Sequence, residues 1–222
     1  MRHIGKVMIA AALPLVAGAT VAQAQLAGIP VYFNPRGGTG LGVAANLGFP
    51  DNNAGGGTAY GVAGSLGAGP VTITGMVGAW KPKNFASAQT SFGGDVAYRL
   101  FGGGLVPVAV SVQGGYGMIK LAGVTNSVIP VGVGISIDPP LFPLKPWIAP
   151  RIEIQHFSGG TGGSVNASAF RVSAGVNFNL LLGLGVHAAV DWGKVPSKLN
   201  AATPSTLILG VGAHFNFRVP MM

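Results

Sequence analysis

The chain has no cysteine, so disulfides and thiolate metal ligation are excluded from its stability and its chemistry. It is poor in charge: Asp, Glu, Lys and Arg make up 8% of its residues, where a soluble globular domain carries about 25%. Acidic residues are scarcest, 5 against 13 Lys and Arg. The basic residues are spread singly, apart from Lys81 and Lys83, with no cluster on a recognisable scaffold, which argues against a nucleic-acid partner. After Ala24 no apolar run reaches the roughly 18–20 residues of a membrane-spanning helix, and the 38 glycines and 16 prolines interrupt every candidate. There is no H-E-x-x-H motif and no calcium loop. The glycine-rich stretches 37–40 and 159–163 lack a P-loop lysine. His156, His187 and His214 stand apart in the sequence, so neither a metal centre nor a cofactor is expected.

What is abundant is apolar surface, 49% of residues. A chain with little charge and no spanning helix can satisfy its backbone in hydrocarbon only as a closed barrel. The N-terminus fits export. Arg2 and Lys6 form a positive start, Val7 to Ala22 is apolar but too short to span, and Ala22-Gln23-Ala24 offers a small-x-small cleavage site. Residues 1–24 therefore read as a signal peptide, 25–38 as an N-terminal periplasmic segment and 39–222 as the barrel. Within 28–35 a further strand or a plug is a second reading.

Period-two alternation carries the fold. Leu207, Leu209, Val211, Ala213, Phe215, Phe217 and Val219 share one parity, and Thr206, Ile208, Gly210, Gly212, His214, Asn216 and Arg218 the other. Phe170 to Leu180, Leu184 to Trp192, Phe92 to Leu100, Val106 to Tyr116 and Ile148 to Ile154 repeat it, and in each the charges share the parity of the small and polar residues. One apolar face against one small or polar face is the pattern of a lipid-facing barrel wall. Ten strands are expected, near 39–49, 58–68, 71–80, 90–101, 105–118, 127–137, 147–157, 168–180, 184–192 and 206–218, with eight and twelve as the neighbouring even counts. Tight turns alternate with longer loops, among them 119–126 and 158–167. Tyr60, Phe92, Tyr116, Phe170 and Trp192 fall toward one end of the strands, and Tyr98, Phe178, Phe215 and Phe217 toward the other, as two aromatic girdles would.

These features resemble the small Gram-negative outer-membrane β-barrel proteins as a class, over residues 25–222. The resemblance implies surrounding outer-membrane lipid and insertion by the barrel-assembly machinery, which reads an aromatic residue closing the last strand. Phe217 fits that role, although the chain continues through Arg218 to Met222.

The inward parity collects Asp95, Arg99, Arg151, Glu153, Arg171, His187, Asp191, His214 and Arg218. Pairing of Glu153 with Arg151 or Arg171, and of Asp95 with Arg99, would satisfy buried charge and plug the lumen. The alternative is a hydrated path lined by the same groups. His187 and His214 lie on adjacent expected strands. The spacing His156-x-Ser158 is similar to the His-x-Ser motif of the lipid A deacylase family, which implies His156 as base and Ser158 as nucleophile. That family also uses a downstream acid, and no Asp or Glu lies between Ser158 and Val190. Comparison with the ten-stranded outer-membrane proteases singles out Asp51, Asp191 and His187, but four residues along a strand separate the last two by about 13 Å. The leading expectation is a non-enzymatic barrel, structural or a narrow pore passing small solutes. A lipid hydrolase and a surface-binding barrel are the alternatives.

Overall fold

The computed structural model describes residues 26–30, 40–103, 106–139, 142–159 and 163–217, with the backbone alone at Leu181. Residues 1–24, expected as a signal peptide, and Arg218 lie outside these residues. Ten strands follow in order: β1 Gly40–Pro50, β2 Thr58–Ala68, β3 Val71–Lys81, β4 Gln89–Gly103, β5 Val106–Leu121, β6 Val124–Ile137, β7 Leu144–Gly159, β8 Val165–Asn179, β9 Leu184–Lys194 and β10 Ser205–Phe217. Each pairs antiparallel with its sequence neighbours. β1 closes the ring on β10, from Leu41 opposite Phe217 to Pro50 opposite Ile208. Closure removes both sheet edges, so no backbone row is left to be satisfied by solvent.

The two faces are those the alternation predicts. Leu47, Val62, Val77, Val96, Val112, Val131, Ile152, Phe170, Val190 and Leu209, one from every strand in turn, point outward and are exposed. Val131 and Ile152 are 58% and 55% exposed, values no soluble protein would sustain around its whole girth. Lipid must cover this belt, so the protein is a transmembrane barrel. Tyr60, Phe92, Tyr116, Phe170 and Trp192 lie outward toward the end bearing the longer loops. Tyr98, Phe178, Phe215 and Phe217 lie toward the opposite, turn end.

Two expectations about the connections are corrected. Residues 119–126 do not form a loop: β5 runs to Leu121, β6 starts at Val124, and Ile119 stays paired with Asn126. Ala122 and Gly123 make the turn with φ of 48° and 82°, the two successive positive values of a tight hairpin. Alanine in that conformation gives no sequence warning. β7 begins at Leu144, ahead of Pro146, because a proline near the start of a strand removes a donor the ladder can spare.

The loop end is tied down by Asp51. Its carboxylate accepts from the Ala54 amide at 2.7 Å and from the Leu207 amide at 3.0 Å, capping the short 3-10 turn 52–54 and fastening it to β10.

Candidate functional site in the lumen

Inward side chains of β7, β8 and β9 build the densest polar feature. Arg151 donates through Nε to Glu153 Oε1 at 2.9 Å, through Nη1 to Ser173 at 2.6 Å and through Nη2 to Asp191 Oδ2 at 2.5 Å. Arg171 donates through Nε and Nη2 to Asp191 Oδ1 at 2.8 and 2.5 Å, and through Nη1 to Thr206 on β10 at 3.1 Å. Ser173 also donates to Asp191, and Gln155 to Glu153 at 3.1 Å. The Arg171 Nε lies 3.8 Å from Glu153 Oε1. Two guanidiniums thus meet two carboxylates, and each charge is offset within the cluster. The register makes this arrangement: Arg151 stands opposite Arg171, and Ser173 opposite Asp191. Like charges brought face to face require the two acids on either side.

Glu153 therefore contacts Arg151 closely and Arg171 more distantly, as the sequence suggests, and Asp191 joins them. Asp95 and Arg99 are not brought together. Asp95 faces Thr74 across the β3–β4 pair and bonds to its hydroxyl, while Arg99 reaches the Gly69 carbonyl at 3.3 Å. Four residues on one strand span about 13 Å, too far for a direct pair.

Nearer the turn end, the rings of His187 and His214 lie with planes 18° from parallel and centroids 5.4 Å apart, and they meet edge to edge through their Nδ1 atoms at 3.1 Å, an N–H···N hydrogen bond. His187 Nε2 meets Asn46 Oδ1 at 2.8 Å, and His214 Nε2 meets Asn179 Oδ1 at 3.4 Å. Each ring lies over the glycine opposite it, His187 over Gly212 and His214 over Gly185. A Cβ on Gly212 would stand 2.3 Å from His187, and one on Gly185 equally close to His214.

Residues 26–30, expected in a periplasmic segment, lie inside the barrel. Leu26, Ala27 and Ile29 are buried against Ala59 and Trp80. Inward glycines make the room. A Cβ on Gly48 would fall 2.0 Å from the Gly28 carbonyl oxygen, and one on Gly61 would fall 2.5 Å from the Leu26 side chain. Of the remainder of 25–38, residue 25 and residues 31–38 lie outside the described residues.

His156 and Ser158 share the outward parity at the loop end of β7. His156 pairs with Asn166 on β8 at 2.6 Å. Asp51 is occupied as a cap and Asp191 in the ionic cluster. Among the described residues no group of three or more His, Cys, Asp or Glu converges as a metal site.

The charges of the cluster are legible from parity. Its neutral members Ser173 and Thr206, and Asn46 and Asn179 beside the histidines, carry no charge to mark them in the sequence. Their signal is the same one, since each occupies the inward parity of its strand.

Closed sheet, apolar belt and polar interior define a ten-stranded transmembrane β-barrel of the outer-membrane type. No protein-family model matches the chain, and no curated protein sequence does. Among solved structures it is similar to the translocator domain of the autotransporter NalP from Neisseria meningitidis, at 13% identity and a TM-score of 0.48, covering 97% of this chain and 98% of that one. It is also similar to Neisserial surface protein A, at 12% identity and a TM-score of 0.42, covering 81% and 98%. The N-terminal barrel domain of Pseudomonas aeruginosa OprF gives 14% identity and a TM-score of 0.39, over 82% and 99%. The assignment of class rests on the sheet and its faces.

Proposed function

We propose that the protein is a non-enzymatic outer-membrane barrel of the structural type, whose lumen is closed to free solute flow in the state described. In this reading the small-solute path expected from the inward charges opens only when the closing groups move. The carrying observation is the burial of Arg151, Glu153, Arg171 and Asp191, exposed by 3%, 0%, 1% and 0%. Charges lining a hydrated channel keep contact with water. These four exchange water for one another, as buried charges must when no water reaches them. The residues 26–30 packed on the β1–β3 wall support the same reading from another side of the ring. Export with removal of residues 1–24, and assembly into the outer membrane by the barrel-assembly machinery, belong to this proposal.

Liposome swelling tests it. Vesicles containing the folded protein, placed in isotonic small sugar, should swell no faster than protein-free vesicles. Swelling that falls off with sugar size would establish a constitutive pore and end the closed-barrel reading.

A further inference from the structure

The outer wall is not uniformly apolar at the loop end. β1 stays apolar to its last outward residue, Phe49, and β10 to Leu207, one outward position from its end. On β5 to β8 the pattern changes beyond the girdle residues Tyr116 and Phe170. Lys120, Thr125 and Ser158 stand side by side in one row of the sheet, and Ser127, His156 and Asn166 in the next. All six share the parity of the lipid-facing residues of their strands, and none is buried. Adjacent strands lie about 4.8 Å apart and alternate residues about 6.8 Å, so this polar face measures roughly 15 by 7 Å. His156 Nδ1 meets Asn166 Oδ1 at 2.6 Å, and the Tyr116 and Ser127 hydroxyls are 3.1 Å apart, which fixes part of the face before anything binds.

Its charge is uncompensated. The chain has five acids. Asp51 caps the 52–54 turn, Asp138 pairs with Lys145, Asp95 bonds to Thr74 on the inner wall, and Glu153 and Asp191 lie in the ionic cluster. Among the described residues no ion pair holds Lys120.

We infer that this face of β5–β8 binds the headgroup of an outer-leaflet lipid built on a phosphorylated sugar. The lipid-covered belt runs directly into it, so its occupant is a lipid whose chains lie on the belt below. Lys120 stands where a long side chain reaches from the belt to the headgroups, and its ammonium meets phosphate in a charge-assisted hydrogen bond. The hydroxyls of Thr125, Ser127 and Ser158, with the Asn166 amide, match the donors and acceptors crowded on a sugar ring. A phosphodiester headgroup without sugar would engage the lysine and leave the other five idle. Longer loops face the exterior in this class, so the choice of leaflet rests on the outer-membrane assembly proposed above. Lipid retention and solute flux are separate readouts, so the site and the closed lumen can each fail alone.

The test is native mass spectrometry of the folded barrel in detergent, titrated with three lipids. These are an acylated glucosamine disaccharide carrying two phosphates, the same disaccharide without phosphate, and phosphatidylglycerol. One equivalent of the phosphorylated disaccharide should be retained in preference to the other two. Lys120→Gln should weaken its binding about tenfold, the loss of one hydrogen bond to a charged group. Thr125→Val with Ser158→Ala keeps the charge and should erase the preference over phosphatidylglycerol. Lys198→Gln, an exposed lysine of the β9–β10 loop, should change nothing, and Lys120 is itself exposed, so both single variants should fold. Equal retention of phosphatidylglycerol by the unmutated barrel would overturn the inference and leave a general attraction for anionic lipid. Binding that Lys120→Gln leaves unchanged, or that Lys198→Gln weakens as much, would overturn it equally.

Discussion

Replacing Asp191 by alanine should destabilise the barrel by about 3–5 kcal/mol, the cost of leaving buried charge without its partner. Asp191 accepts from Arg151, Arg171 and Ser173, and its removal leaves two buried guanidiniums sharing Glu153. Arg171→Met combined with Asp191→Ala removes one charge of each sign and leaves the Arg151–Glu153 pair intact at 2.9 Å. The double variant should therefore be more stable than Asp191→Ala alone, although it lacks more contacts. Urea unfolding in lipid vesicles, read by tryptophan fluorescence, gives all three values. A double variant less stable than the single one would show that the cluster acts through packing and not through charge balance.

A second large effect is expected at Gly48. The nearest atoms to a Cβ there all belong to Gly28 and Ile29, so a valine at this position meets the lumenal segment and spares the wall. Gly48→Val should expel residues 26–30 while the strands stay paired. The chain has no cysteine, so Ala27→Cys reports on the segment without background. With Gly48 intact the thiol should resist a membrane-impermeant maleimide, because Ala27 is buried. In the Gly48→Val background it should react at the rate of a free thiol. Equal, fast labelling in both would mean that the segment does not occupy the lumen in the membrane.

The fold was largely legible because lipid imposes a strict rule. Outward positions within the lipid-covered belt must be apolar, so charge at Arg171, Glu153 or Asp191 fixes the parity of its strand, and a run such as Leu207 to Phe217 fixes the rest. Strand count and neighbours followed from this, and with them the meeting of His187 with His214. What stayed hidden depended on distance and shape. Pairing Asp95 with Arg99 fails because residues on one strand cannot approach as residues on adjacent strands do. The Ala122–Gly123 hairpin was masked by an alanine in a backbone conformation it seldom adopts. The position of residues 26–30 was written in the inward glycines Gly48, Gly61 and Gly78. A glycine in a wall signals space without naming its occupant.

Two closures on different sectors of the ring, one ionic on β7–β9 and one peptide on β1–β3, make the same claim about the lumen. Single-channel recording in a planar bilayer tests that claim most directly. Unmutated protein should insert without resolvable current steps, and Gly48→Val combined with Arg171→Gln should produce them. Discrete, reproducible steps from the unmutated barrel would contradict the account.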